Sequence, residues 1–327
     1  MNSKAEPVFL SIVIPVYRGE HSIGPLVDEL VKELDPLYRL EIVLVNDCSP
    51  DNAEQVCEAL YTRYRPVVRA YTLAKNVGEH NAVMAGLNKS NGDWVVIMDD
   101  DFQNPVSEVI KLVDFAVSNT YDVVYTFYDK KKHSLFRNLG SRFNDRVANI
   151  MLHKPKNLYL SSFKAMNRFL VNEVVKYTLP FSYIDGLVLQ TTSNIGAVQV
   201  AHQNRRDGHS GYTLRKLISL WMNMFTNFSI LPLRVATGMG FLFAGLGFLV
   251  GIEIIIEKLV NPAIPIGYAF LVFIVTVFAG IQLVAIGMVG EYLGRMFLHL
   301  NKKPQFAICR SFDGTESDKN QQAAESL

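Results

Sequence analysis

Charge is scarce in this chain of 327 residues: Asp, Glu, Lys and Arg make up only 19%, against about a quarter in ordinary soluble domains. Neither sign dominates, and the formal net charge of +1 argues against holding nucleic acid by bulk electrostatics. Cysteine is rarer still. Cys48, Cys57 and Cys309 have neither disulfide nor metal-ligand spacing and fit a reducing compartment. No GxGxxG and no GxxxxGK[ST] occurs, so neither a dinucleotide fingerprint nor a Walker loop is supported. There is no internal repeat. Met1 to Pro7 is polar and the next apolar run is only a strand long, so no signal peptide is expected. What abounds instead is apolar: 49% hydrophobic and 11% aromatic residues, with a mean hydropathy of +0.15. That composition excludes a disordered chain.

The apolar surplus lies near the C-terminus. No charged residue occurs from Val235 to Ile252, and none from Leu259 to Gly290. Roughly 20 apolar residues cross a bilayer core as a helix, so two spans are expected, near Val235 to Ile256 and Ile266 to Gly290. Asn261, Pro262 and Pro265 break the run between them. Arg205, Arg206, Arg215, Lys216 and Arg234 precede this hairpin; Arg295, Lys302, Lys303 and Arg310 follow it, while the loop carries only Lys258. The positive-inside rule then puts both flanks in the cytoplasm. The expected domains are a cytoplasmic catalytic part over 1–212, an interfacial helix over 213–231, the hairpin over 232–295 and a cytoplasmic tail over 296–327. Ser311 to Leu327 is polar and expected to be disordered.

The first 130 residues alternate short β-rich runs with helical ones. Phe9–Val16, Glu41–Asn46, Val67–Leu73, Trp94–Met98 and Asp122–Thr126 read as strands. His21–Leu34, Asp51–Tyr64, Glu79–Asn88 and Val106–Asn119 read as helices. Such alternation predicts an α/β fold with a mainly parallel sheet, whose ligands bind at the C-terminal strand ends. Those ends carry polar residues: Pro15-Val16-Tyr17, Asn46-Asp47-Cys48-Ser49, Lys75-Asn76-Val77-Gly78 and Asp99-Asp100-Asp101-Phe102-Gln103. Extended residues two apart share a face, so Asp99 and Asp101 can point together while Asp100 points away. Two carboxylates at a strand end, with Gln103 as a third oxygen donor, suit Mg²⁺ or Mn²⁺ bridging phosphates.

Two basic amphipathic segments, Ser134–Leu152 and Thr213–Phe228, read as interfacial helices at a membrane surface.

In their order, these strand-end segments resemble the family 2 glycosyltransferases of the GT-A (Rossmann-like) fold. Gly290-Glu-Tyr-Leu-Gly-Arg295 at the end of the expected hairpin narrows the resemblance to the polyprenyl-phosphate glycosyltransferases, similar to dolichyl-phosphate mannose synthase and bacterial undecaprenyl-phosphate sugar transferases. The resemblance implies a bacterial inner-membrane enzyme that forms a homo-oligomer such as a tetramer. It would move one sugar from a UDP-linked or other nucleotide donor to polyprenyl phosphate, with inversion. It places the nucleotide at Pro15, Tyr17, Asp47, Lys75, Gly78, Asp99 and Asp100, and the metal at Asp99, Asp101 and Gln103. It puts Lys131, Arg137 and Arg205 beside the anionic groups, the last just before Gly208-His-Ser-Gly-Tyr212. An acceptor phosphate is already ionised and needs no strong base; Asp100 and Asp185 are the candidates if one acts.

The chain departs from the family pattern at several places. Arg18-Gly19 replaces Asn-Glu, with Glu20 one place on; Tyr128 and Lys131 stand where the family has Arg; Phe163-Lys164 replaces Phe-Arg; and Gly211 replaces Lys. Two other readings compete. A processive polysaccharide synthase would need a Gln-x-x-Arg-Trp segment, and none occurs. A catalytically silent nucleotide-sugar scaffold would have lost the metal ligands, and they are present.

Overall fold

The computed structural model of the protein describes residues 7–128, 155, 158–180, 182–201, 203, 231–260, 267–300 and 304–314. These fall into two compact units, one up to Gly211 together with the residues from Pro304 onward, the other from Tyr212 to Lys303.

The first unit is built on an eight-stranded sheet. Its N-terminal half is β1 (Phe9–Val16), β2 (Arg39–Asn46), β3 (Val68–Leu73) and β4 (Trp94–Ile97), and β5 is Val123–Phe127. Shorter strands β6 (Lys164–Asn167), β7 (Ile195–Gln199) and β8 (Ile308–Phe312) complete it in the order β7-β5-β6-β4-β1-β2-β3-β8. β1 pairs in parallel with β2 and β4, β2 with β3, and β5 with β7. β6 and β8 run antiparallel to their neighbours. The central strands read FLSIVIPV and RLEIVLVN and are almost wholly buried, as a sheet covered on both faces requires. β2 starts before the expected Glu41 because Arg39 stays in register with Phe9 and its guanidinium lies 4.4 Å from that ring's centroid.

Helices α1 (Ile23–Leu34), α2 (Ala53–Arg63), α3 (Glu79–Lys89) and α4 (Val106–Ser118) connect these strands. In α1 the residues Ile23, Leu26, Val27, Leu30 and Leu34 repeat at helical spacing and all are buried. Each such side chain contributes about 1.5–3 kcal/mol of burial. Two shorter helices follow, α5 (Arg168–Val174) and α6 (Ile184–Thr191).

The strands β6, β7 and β8 and the helices α5 and α6 lie outside the sequence expectations. β6 inserts between β4 and β5, and its four residues KAMN lack the apolar run that marks the equally short β4, WVVI. β8 comes from the segment after Pro304 and pairs with β3, placing Phe312 6.0 Å from the Tyr61 ring. The expected disorder therefore does not hold for Ser311 and Phe312, whose backbone closes the edge of β3.

In the second unit, α7 (Leu231–Val260) and α8 (Tyr268–Leu300) cover most of the two expected spans, and the Phe243 and Phe278 rings meet edge-to-face at 6.1 Å. Phe241, Phe248, Leu283 and Phe297 are exposed. Among the described residues one helix, α8, is long and apolar enough to cross a membrane, through Val277–Gly294 at a mean hydropathy of 1.5. α7 carries a shorter apolar stretch, Ala236–Leu249. The two expected interfacial helices, Ser134–Leu152 and Thr213–Phe228, lie outside the described residues.

Candidate active site

The parallel strands β1, β2, β3 and β4 deliver their C-terminal ends to one edge of the first unit. Backbone strain is concentrated there. Arg18, Cys48 and Phe102 follow β1, β2 and β4 with φ of 60°, 50° and 59°, a region that non-glycine residues enter only where the surroundings enforce it. The loops are tied to one another. The Arg18 amide donates to Ser49 Oγ at 2.7 Å, the Glu20 amide to Asp51 Oδ2 at 3.1 Å, and the Asn52 amide to Glu20 Oε2 at 3.0 Å. Glu20 is thus engaged by the neighbouring loop through its Oε2.

Asp47 is 3% exposed. Its two carboxylate oxygens accept the amides of Val77 and Gly78 at 2.8 and 2.9 Å. Burial pushes its carboxyl up, partly offset by those two amides. It therefore shapes the Lys75–Gly78 loop, where Gly78 adopts φ +88° and releases the chain into α3. Beside it, Asn46 Nδ2 is buried without a hydrogen-bond partner among the described residues, the kind of orphan that a ligand or water normally satisfies. Tyr17 is 47% exposed, Lys75 is exposed and Pro15 half-buried.

After β4, the three consecutive aspartates take different partners. Asp99 Oδ2 accepts a hydrogen bond from Ser162 Oγ at 2.8 Å. Asp101 Oδ1 accepts the Gln103 amide at 3.1 Å. Asp100 turns toward the β1–α1 loop, where Ser22 Oγ donates to its Oδ2 at 3.3 Å. Gly19 is required by that arrangement, because a Cβ there would stand 2.1 Å from the same oxygen. Burial, then Asp99 and Asp101, pushes the Asp100 carboxyl up to about 7. Tyr128, which stands where an Arg was expected, donates to Asn104 Oδ1 at 3.1 Å.

Deeper, Lys164 of β6 forms a buried ion pair with Asp185 in the first turn of α6. Tyr125 Oη donates to the same carboxylate oxygen at 2.9 Å. Asp185, a candidate base from the sequence, is thereby engaged on two sides. Lys131, Arg137 and Arg205 lie outside the described residues. The sequence reading missed Ser162 and the conformational need for Gly19, since neither belongs to a pattern visible along the chain.

The oxygen donors here suit a divalent cation. Among the described residues no three His, Cys, Asp or Glu side chains form a ready ligand set. A cation that keeps water and takes diphosphate oxygens needs only one or two carboxylates. Asp99 and Asp101, with the Gln103 amide oxygen, meet that requirement.

The family described as Glycosyl transferase family 2 matches residues 11–175, from β1 through the acidic strand end to α5. The chain belongs to glycosyl transferase family 2. As a family 2 enzyme it has the GT-A fold, with the mainly parallel sheet described above. Its similarity to curated relatives extends further. It is 34% identical over 92% of its length, and 89% of theirs, to an undecaprenyl-phosphate 4-deoxy-4-formamido-L-arabinose transferase of Pseudomonas fluorescens. A transferase of the same name from Serratia proteamaculans is 32% identical over 99% of this chain and its own full length. Among solved structures, the M. tuberculosis glucosyl-3-phosphoglycerate synthase aligns with a TM-score of 0.49 at 19% identity, over 64% of this chain and 75% of its own.

Proposed function

We propose that this family 2 glycosyltransferase moves a single sugar from a UDP-linked donor to undecaprenyl phosphate at the cytoplasmic face of a bacterial inner membrane. The observation that carries the reading is the extent of the similarity. Relatives named as undecaprenyl-phosphate sugar transferases match 92–99% of the chain, which includes α7 and α8 as well as the acidic strand end.

The nucleotide lies across the ends of β1, β2 and β3, against Pro15, Tyr17, Asp47, Lys75, Gly78 and Asp100. Asp99, Asp101 and Gln103 hold Mg²⁺ or Mn²⁺, which when bound neutralises charge developing on the diphosphate leaving group. Ser162 fixes the Asp99 carboxylate for that task. Lys131, Arg137 and Arg205 hold the anionic groups of donor and acceptor. A phosphate oxygen of the acceptor bonds to the anomeric carbon as the sugar–diphosphate bond breaks. The nucleoside diphosphate leaves with the electron pair and the configuration inverts. No proton has to be removed from an ionised phosphate. That agrees with an Asp185 engaged by Lys164 and Tyr125 and an Asp100 turned toward Gly19.

The acceptor reaches the site along the membrane, with α7 and α8 as a hairpin whose apolar side chains face lipid. The domains follow the sequence reading: catalytic residues up to 212, an interfacial helix at 213–231, the hairpin at 232–295 and a cytoplasmic tail that returns β8 to the sheet. A homo-oligomer fits the family resemblance.

The test incubates membranes containing the protein with undecaprenyl phosphate, Mg²⁺ or Mn²⁺ and a panel of radiolabelled UDP-sugars. Label partitioning into organic solvent for one donor is expected. Label only in long polymer, or no transfer from any donor, overturns the proposal.

A further inference from the structure

Arg18 and Gly19, where the chain departs from the family pattern, have no part in the nucleotide or metal assignments. In the sheet, β1 stands between β4, which carries the acidic strand end, and β2, which carries the Asp47 loop. The loop that follows β1 is tied to both neighbours. On the β2 side the Arg18 amide donates to Ser49 Oγ at 2.7 Å and the Glu20 amide to Asp51 Oδ2 at 3.1 Å. On the β4 side Ser22 Oγ donates to Asp100 Oδ2 at 3.3 Å, and the bare Gly19 leaves room for that same oxygen.

Held in this way, Gly19 is buried while Tyr17 and Arg18 are exposed. Arg18 keeps φ at 60°, and its Cζ lies 5.7 Å from the centroid of the Tyr17 ring, within the range at which a guanidinium is attracted to an aromatic face. Among the described residues it makes no ion pair. The carboxylates of the neighbouring loop are engaged elsewhere. Glu20 Oε2 accepts the Asn52 amide and side chain, and its Oε1 meets His21. Asp51 accepts from the Ser49 hydroxyl and from the amides of Ala53 and Glu20. The Arg18 charge is therefore fixed in place and open to a ligand.

The charge balance at this edge decides what that ligand is. The loops after β1, β2 and β4 carry the carboxylates of Glu20, Asp47, Asp51, Asp99, Asp100 and Asp101. Against them, the loops after β1 and β3 offer the exposed cations Arg18 and Lys75. A nucleoside diphosphate brings further negative charge. A metal on Asp99 and Asp101 offsets it at the end of β4, but a nucleotide stretched from there to the Asp47 loop crosses the end of β1. The part of it that leaves the metal first is the α-phosphate with its ribose. A guanidinium, with N–H donors in a rigid fork, suits a phosphate at that crossing.

We propose that Arg18 is a donor-binding residue whose guanidinium holds the α-phosphate of the nucleotide where it crosses the end of β1. This rests on the nucleotide-sugar reading above. Gly19 supports the arrangement by letting Asp100 turn toward Ser22. Ser49 holds the Arg18 backbone and Tyr17 underlies its side chain, so less freedom is lost on binding.

The test measures the Kd of UDP and of UMP for the purified full chain with Mn²⁺ at several salt concentrations, from about 50 to about 300 mM. Arg18→Asn removes the cation and keeps a residue that tolerates positive φ. It should raise both Kd values by about tenfold, because both ligands carry the α-phosphate and one charge-assisted contact is lost. It should also flatten the salt dependence of UDP binding. Arg18→Lys should stay within about threefold of the wild type, since a point charge still reaches the phosphate. Unchanged Kd values in Arg18→Asn, a loss for UDP without one for UMP, or an unaltered salt dependence overturns the assignment while leaving the transferase reading intact. A wild type that binds UDP but not UMP does the same. So does a loss in Arg18→Lys equal to that in Arg18→Asn, which is the result a merely structural role would give. Failure of the wild type to bind UDP strikes the UDP-donor reading itself, and the assignment of Arg18 falls with it.

Discussion

At the residue scale, the acidic strand end divides its labour by the direction in which each carboxylate turns. Asp99 accepts from Ser162 and Asp101 from the Gln103 amide, which orients both carboxylates at the strand end. Replacing either by Ala is expected to lower kcat by about 10²-fold or more, the scale seen when one stabilising group is removed from a transition state. A thermal melt close to wild type would separate that loss from unfolding, and full turnover would refute the metal assignment. Asp100 behaves differently. Its carboxyl is held at about 7 rather than the ordinary 3.8, so the folded protein keeps a proton that the unfolded chain releases between those values. Stability of the metal-free protein should therefore fall as pH rises through that window. Melting temperatures in EDTA from pH 4 to pH 8 test this, and Asp100→Asn should flatten the decline. The Asp99-x-Asp101 spacing and the divergence of Asp100 are legible from strand periodicity alone. The role of Gly19 is not, because the oxygen that excludes a side chain there belongs to Asp100, far along the chain.

At the element scale, the parallel core was readable because each strand is a short apolar run and each helix repeats its apolar residues at helical spacing. The pieces added later in the chain were not. β6 joins the sheet by pairing with β4 and β5 at once, and its residue Lys164 is neutralised only when α6 brings Asp185 alongside. Lys164→Met alone should destabilise by about 3 kcal/mol, since it leaves a buried carboxylate unpaired. The double variant Lys164→Met with Asp185→Leu should recover most of that loss, and a thermal or denaturant double-mutant cycle reads the coupling. β8 is a second such case. Tyr71 Oη donates to Asp313 Oδ2 at 3.1 Å and Arg310 pairs with Glu54 at 3.4 Å, while Phe312 is buried. Phe312→Ala should cost about 3 kcal/mol and lower the melting temperature; an unchanged melt would mean the strand adds nothing to the edge of β3.

At the scale of the whole molecule, the scarcity of charge is explained by a division between two units. The first buries its apolar residues in the conventional way. The second exposes Phe241, Phe248, Leu283, Ile286 and Phe297 along helices of 30 and 33 residues. Helices apolar on all sides are stable in lipid or in the core of a large protein. The protein is therefore expected to stay in the membrane pellet after alkaline carbonate washing and to need detergent for release. Recovery in the carbonate supernatant would refute the membrane hairpin.

The sequence by itself determined the α/β alternation, the strand-end location of the polar residues and the two long uncharged runs. Each of these is a local pattern, set by side-chain periodicity within one element. Only the tertiary structure decided which distant side chains serve those local groups. Ser162 reaches Asp99 across 63 positions and Asp313 reaches Tyr71 across 242. Hydrogen bonds, ion pairs and the crowding of carboxylates depend on distances of a few ångströms, and those distances are fixed only when the sheet is assembled.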